Sequence, residues 1–246
     1  MFSNRDIKSE IRKRIWDLLE KNNIAKFPRP AYGRIPNFLG AEKAALRLSR
    51  LGVFTGAKVV EVSPDSPQKH VRYLALTHGK VVIMPTPRLK KGFIILNPRK
   101  IPQQFYGIAS TIRGAFTWGV KVSPKNLPEV DLIVTGSVAV NIKGCRLGKG
   151  GGYSDLEFAI LKELGKVNDE TTIATTVHDL QVIEQDIPLD PWDVGVDLIV
   201  TPSRLIRTSG SFKPKGILWN YVNTSLINEV PILKELFNMR RGDRHS

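Results

Sequence analysis

Ile7, Ile11, Ile15, Leu18 and Leu19 recur at the three- and four-residue spacing of one helical face, which predicts a helix over residues 4–21. Ser3 or Asn4 is placed to cap its start. Lys8 and Arg12 are four apart, so their side chains leave that helix on one face. The prolines of Phe27-Pro28-Arg29-Pro30 break helical chain. A second helix is predicted over 40–51, stopped by Gly52.

Beyond Gly52 the pattern alternates. Short apolar, β-branched runs predict strands over 58–62, 81–84, 93–96, 171–177 and 197–201. Residues 131–136 are apolar through their centre, as in a parallel strand covered on both faces, and 138–142 read as extended chain. Helical patterns over 67–78, 103–112 and 154–164 fall between these runs. Strands alternating with helices predict the α/β class, a three-layer α/β/α arrangement around a mainly parallel central sheet. No internal repeat interrupts it. Residues 1–212 read as this α/β domain. Residues 213–246 read as a C-terminal extension packed on it, with a strand and a helix over 216–237 and a basic tail, Met239-Arg240-Arg241-Gly242-Asp243-Arg244-His245.

Composition narrows the picture. The 246 residues are 41% apolar, enough to build a core for one α/β domain. The lone cysteine, Cys145, excludes an internal disulfide and a Cys-x-x-Cys metal site, and points to a reducing compartment. Arg5, Asp6 and Lys8 come too early for a signal peptide's apolar core, and no apolar run approaches the length of a membrane helix. A soluble, cytoplasmic protein is expected, acting as a monomer. The formal charge of +14 favours polyanions, among them nucleotides, polyglutamylated ligands and nucleic acid; a lysine-rich composition bias gives the same figure. The basic residues are dispersed, and aromatics such as Phe27, Phe38, Phe93 and Trp118 sit in apolar or Pro-rich segments. No specific nucleic-acid surface is expected, and any oligonucleotide binding should be weak and steeply salt-sensitive.

One loop carries candidate chemistry: Gly144-Cys145-Arg146-Leu147-Gly148-Lys149-Gly150-Gly151-Gly152-Tyr153-Ser154-Asp155. It follows extended chain and opens a helix. Glycines let backbone approach a phosphate closely, and a helix N-terminus offers free N–H groups. The Walker pattern is absent, because three residues separate Gly144 from Gly148-Lys149 and Gly150 follows. The dinucleotide pattern is absent as well, because Tyr153 stands where its third glycine belongs. By the residues alone, a phosphate site and a flexible surface turn both remain open. His178-Asp179 lacks an accompanying Gly-x-Ser-x-Gly, and His70, His78 and His245 lack metal-ligand spacing, so a polar strand end accounts for the pair better than a hydrolase does.

The run from Arg146 to Tyr153 with Asp155 resembles the phosphate loop of the 5-formyltetrahydrofolate cyclo-ligase family, Arg-Leu/Ile-Gly-x-Gly-x-Gly-Tyr-Tyr-Asp. Lys8 and Arg12 resemble that family's N-terminal Lys-x-x-x-Arg pair. His178-Asp179-Leu180-Gln181-Val182, Pro188, Trp192-Asp193-Val194-Gly195-Val196-Asp197 and Thr201-Pro202 resemble its C-terminal block. Arg34-Ile35-Pro36-Asn37-Phe38, Pro85-Thr86-Pro87-Arg88-Leu89, Gly136-Ser137-Val138-Ala139-Val140 and Pro231-Ile232-Leu233 are similar to one subgroup, the methenyltetrahydrofolate synthetase domain-containing proteins.

The resemblance implies a NagB/RpiA-like, Rossmann-type topology. It also implies an ATP- and Mg2+-dependent enzyme that closes 5-formyltetrahydrofolate, or a related formyl-pterin, to the 5,10-methenyl form with release of ADP and phosphate. Lys8, Arg12, Arg146, Gly148, Lys149, Gly150, Gly151, Gly152 and Tyr153 would hold the ligands. Arg146 and Lys149 would act in catalysis, and Asp155 and Asp193 would bind Mg2+. The residues themselves admit plainer roles: a helix first-turn acid for Asp155, a turn residue for Asp193, a solvated face for Lys8 and Arg12, a core-facing ring for Tyr153. Two positions depart from the family pattern. Ser154 replaces the loop's second tyrosine, and Ser63-Pro64-Asp65-Ser66-Pro67-Gln68 lacks the glutamate that parent enzymes place on substrate. The alternative is a catalytically altered nucleotide- or folate-binding, or RNA-binding, protein on the same fold.

Overall fold

The structure, a computed structural model, describes residues 3–209 and 212–242. The N-terminal helix forms as predicted, α1 (Asn4–Lys21), closed by a reciprocal capping box: the Ser3 hydroxyl accepts from the Asp6 N–H, and the Asp6 carboxylate accepts from the Ser3 N–H. Strands β1 (Ala25–Lys26) and β2 (Asn37–Phe38) pair antiparallel. Helix α2 (Ala41–Ser49) follows Gly40, which has φ +88° and no room for a Cβ against the Pro202 ring. Gly52, expected to end helical chain, instead opens a further turn, α3 (Gly52–Thr55), because the Leu51 carbonyl accepts from Phe54 and Thr55.

The alternating segment follows as β3 (Val59–Val62), α4 (Lys69–Thr77), β4 (Val81–Pro85) and β5 (Phe93–Leu96). The single helix expected over 103–112 is split. A 3-10 turn and α5 (Tyr106–Ala109) end at Ser110, and the Thr111 hydroxyl caps a new helix, α6 (Ile112–Trp118), by accepting from the Gly114 N–H. A Cβ on Gly114 would lie 1.9 Å from the Ile108 carbonyl oxygen, so the two short helices cross only because residue 114 lacks one. Strand β6 (Val120–Val122) then adds an edge that the apolar pattern does not announce.

The rest comprises β7 (Leu132–Thr135), β8 (Ala139–Asn141), β9 (Arg146–Leu147), α7 (Tyr153–Glu163), β10 (Thr172–Thr176), β11 (Val182–Ile183), β12 (Leu198–Val200), β13 (Leu205–Arg207), α8 (Thr224–Glu229) and α9 (Pro231–Gly242). No strand forms over 216–237. The Ile217 N–H, which a strand would offer to a neighbour, donates to the Glu163 carboxylate, and the run continues into a 3-10 turn and two helices. Residues 243–246 of the expected basic tail lie outside the described residues.

Eight strands form the central sheet in the order β13-β12-β10-β7-β3-β4-β5-β6. The five from β12 to β4 are mutually parallel; β13, β5 and β6 pair antiparallel at the edges. Alternate residues feed two cores. Leu132 and Val134 face one side with Leu48, Ala75 and Leu76 of α2 and α4; Ile133 faces the other with Phe158 and Ile160 of α7 and Leu233 of α9. This is the expected α/β/α layering. A third cluster sets Ile11, Ile15 and Leu19 of α1 on a small second sheet, β11-β8-β9. Among the described residues no helix is long and apolar enough to cross a membrane.

Candidate functional site

The chain runs from β3 to β4 on one side, then returns to β7 on the other side of β3, so the parallel sheet reverses its winding between β3 and β7. Crevices form at such reversals, at the carboxyl ends of the strands. Here those ends are Ser63 after β3 and Gly136 after β7; a Cβ on Gly136 would lie 2.8 Å from the Ile35 side chain and 3.0 Å from the Asp65 carboxylate. The β8–β9 hairpin turns at Gly144 (φ +89°), and the glycine loop 148–152 leads from β9 into α7. Gly150 has φ +105° and Gly152 φ +69°, backbone that side-chain-bearing residues rarely adopt. Gly152 stands at the N-cap position, and no side chain caps the first turn of α7.

The loop is a wall between two cavities. One, of about 590 Å³, has Lys8, Arg12 and Asp193 around it; the other, of about 680 Å³, has Arg34, Asp65, Arg88 and Glu157; Asp155 borders both. Gly148, Lys149, Gly151 and Gly152 border both.

The ligand, catalytic and metal candidates named from the sequence border this wall. Lys8 and Arg12 do emerge on one face of α1, and Lys8 is buried. Its ammonium donates to Asp190 (2.6 Å) and Asp193 (2.5 Å). Arg12 donates from Nε to the Gly148 carbonyl at 2.7 Å, tying helix to loop. Burial pulls its guanidinium pKa down, with Asp193 and Asp155 opposing. Arg146 is buried beneath the loop and donates to the carbonyls of Val194 (3.2 Å) and Gly136 (3.3 Å) and to Asp155 Oδ1 (2.7 Å). Asp155 Oδ1 also accepts from the Val194 N–H at 3.0 Å. Burial pushes the Asp155 carboxyl above its ordinary range, against the pull of Arg146. Lys149 is half-exposed and reaches Asp65 at 3.2 Å. The Tyr153 hydroxyl donates to Glu229 (2.9 Å) while its ring packs on the core. Asp193 Oδ2 accepts from the Asp190 N–H.

Among the described residues no three His, Cys, Asp or Glu side chains converge as a ready metal cage. Asp155 and Asp193 each engage one oxygen in the bonds above. Mg2+ commonly takes one or two carboxylates and completes its octahedron with phosphate and water, so this pair fits a metal that arrives with a nucleotide. The His178-Asp179 pair has the plainer role expected of it: His178 caps a 3-10 turn, and Asp179 accepts from Thr201, Ser203 and Arg204.

The model of the 5-formyltetrahydrofolate cyclo-ligase family matches residues 4–202. The chain belongs to this family. It is therefore a member of an enzyme family. The cyclo-ligase match spans both faces of the glycine-loop wall, from Lys8 on α1 to Asp193, and ends before the residues that lead into α8 and α9.

A mouse methenyltetrahydrofolate synthase domain-containing protein is 42% identical over 235 residues, 93% of this chain and 63% of that protein; the human protein of the same description is 40% identical over 235 residues, 93% and 61%. The chain thus spans less than two thirds of the length of these relatives. The solution structure of 5,10-methenyltetrahydrofolate synthetase from Aquifex aeolicus superposes with a TM-score of 0.53 at 24% identity, covering 83% of this chain and 94% of that one, which bears on the fold.

Several polar groups beside the glycine loop lie outside the sequence motifs. Glu61, in the middle of β3, and Glu157, on α7, are both buried and border a narrow recess with Thr135 and Arg146. Burial pushes Glu61 up to about 8, and Arg146 and Arg72 pull the other way. Burial also raises Glu157 well above the carboxylate range, and Glu61 and Asp65 add to the rise. Arg72 is fully buried and donates to the carbonyls of Ser110, Ser63 and Asp65, so it fixes the chain that leaves β3 and carries Asp65 to the wall. A signal was available for Glu61: it is the one charged residue in the apolar run Val59-Val60-Glu61-Val62.

Proposed function

We propose that this chain is an ATP-dependent cyclo-ligase that converts 5-formyltetrahydrofolate, or a closely related formyl-pterin, to the 5,10-methenyl form. The observation that carries the reading is the glycine loop standing between two cavities. One cavity has the buried Lys8, the half-buried Arg12 and the carboxylate Asp193; the other is larger and mixed in polarity; Arg146 and Asp155 border both. A reaction that passes a phosphoryl group from a nucleotide to an oxygen on a second substrate needs two chambers with a shared wall. It also needs fixed donors where they meet.

In this reading the nucleotide lies on the Lys8 side and the pterin on the Asp65 side. The formyl oxygen on N5 attacks the γ-phosphorus, the bond to the β-phosphate oxygen breaks, and ADP departs. N10 then attacks the activated formyl carbon and gives up its proton, and the C–O bond breaks to release phosphate, which carries that proton away. The N–H groups of the loop and the uncapped first turn of α7 bind phosphate oxygens. Lys149, free to swing from Asp65, neutralises the charge on the transferred group. Arg146 acts from below, holding Asp155 and the strand end at Gly136 in place. Asp155 and Asp193 would hold Mg2+, which supplies charge neutralisation at the phosphates.

The test is to mix the protein with Mg-ATP and 5-formyltetrahydrofolate and follow methenyl absorbance. Asp155→Asn is expected to lower turnover on the order of a hundredfold, with the melting curve checking that the fold is kept. Full activity in that variant would remove Asp155 from the chemistry, and absence of any methenyl product from the parent chain would remove the reaction.

A second reading has a specific observation behind it. Lys8 is already paired with Asp190 and Asp193, and Arg146 with Asp155, so the charges are satisfied before any ligand arrives. A protein that binds nucleotide without turnover would tolerate this. ATP consumption that rises on addition of formyl-pterin separates the two.

A further inference from the structure

A third chamber, of about 200 Å³, opens beside the glycine loop on the side of the C-terminal segment. Its walls are apolar: Leu156 from α7, and Ile217, Leu218 and Leu226 from the segment that crosses over it. Trp192 and Tyr221 stand at its rim, both with exposed ring area, their centroids 4.8 Å apart and their planes tilted by 59°. Gly151, Gly152, Asp155 and Trp192 border this chamber and also the basic cavity that holds Lys8 and Arg12. An apolar, aromatic-rimmed chamber and a cationic one thus open into each other across the loop.

The chamber is braced. The Glu163 carboxylate of α7 accepts from the Ile217 N–H at 3.1 Å and from the Trp219 indole at 3.4 Å. Tyr153, first residue of α7, donates to Glu229 of α8. The crossing segment is therefore anchored at both ends to the helix that the glycine loop opens. It also lies beyond residue 202, where the family match stops.

We propose that this chamber takes the base of the nucleotide whose phosphates lie on the glycine loop, so that the C-terminal segment of this chain completes its nucleotide site. The proposal rests on the phosphate-loop reading above. A nucleotide has one polyanionic end and one flat, weakly polar end, and the two adjoining chambers match those ends in order. The apolar walls favour a base with few unsatisfied polar groups, so adenine should bind better than guanine, whose additional polar edge would be left without partners.

The experiment is calorimetric titration of the full chain with ATP, GTP, inorganic tripolyphosphate and 5-formyltetrahydrofolate, repeated with Tyr221→Ala and Tyr221→Phe. Tyr221 is 58% exposed, so the fold should tolerate both changes. Loss of a ring that stacks on the base should weaken ATP about tenfold in Tyr221→Ala, with recovery in Tyr221→Phe. Tripolyphosphate affinity should not move. Equal ATP affinity in all three proteins overturns the proposal, as does a loss confined to 5-formyltetrahydrofolate, which would give the chamber to the pterin. Failure of tripolyphosphate to bind the parent chain overturns the phosphate-loop reading itself, and is distinguished by not depending on Tyr221.

Discussion

Replacing Gly150 with valine is expected to weaken ATP binding at least about a hundredfold while leaving the fold intact. Gly150 has φ +105°, where a β-branched residue is strained whatever space surrounds it. A Cβ there would sit 3.7 Å from the Arg12 guanidinium carbon, so a larger side chain presses on the contact that ties α1 to the loop. It would also cover the backbone that phosphate oxygens must approach. The residue is exposed, so the strain should cost some stability without unfolding the chain, and the larger loss should fall on ligand binding. Titration with Mg-ATP, alongside a melting curve, measures both. An unchanged dissociation constant would remove the phosphate-loop assignment.

The second large effect concerns pH. Folding stability is expected to fall by on the order of a few kcal/mol between about pH 5 and pH 8, and Glu61→Gln should flatten most of that slope. Burial raises the folded-state pKa of Glu61 from 4.5 to about 8. Between those values the folded chain holds a proton that the unfolded chain has released. Stability present below the ordinary carboxylate pKa is therefore lost as pH rises through the folded value. Glu157, raised for the same reason, adds with the same sign. A glutamine side chain in place of Glu61 stays neutral at every pH and carries no such cost. Urea unfolding at four pH values from 5 to 8 measures it; parallel curves for the parent and the variant would show that Glu61 is not a protonated acid in the fold.

The two predictions differ in how visible their residues were. Gly150 stood in a motif whose order along the chain survives folding: a strand, a glycine loop, a helix. Local rules sufficed for that, as they did for α1, where five apolar residues on one face and the Ser3–Asp6 box agree. They failed where the deciding partner was distant. The apolar run at Ile217 reads as a strand, but its N–H meets Glu163, 54 residues away. Helix α6 and strand β6 depend on Gly114 passing against Ile108 and on β5 offering an edge, neither of which has a local signature. Ser63 to Gln68 holds no glutamate, and only the folded chain places Glu61, Asp65 and Glu157 together beneath the loop.

The amino-acid sequence by itself determined the α/β class, the family and the glycine loop with its companion charges, because each is written in residues close along the chain or in a fixed order. Tertiary structure alone decided how those charges pair. Lys8 finds Asp193 from 185 residues away, and Arg146 turns inward to hold Asp155 and Gly136. It also decided that the loop divides two cavities and that the C-terminal segment closes a third. Cavities and buried ion pairs arise where separate elements pack, and the sheet's reversal between β3 and β7 is what brings α1, the loop, residues 190–193 and the C-terminal segment to one end of the strands.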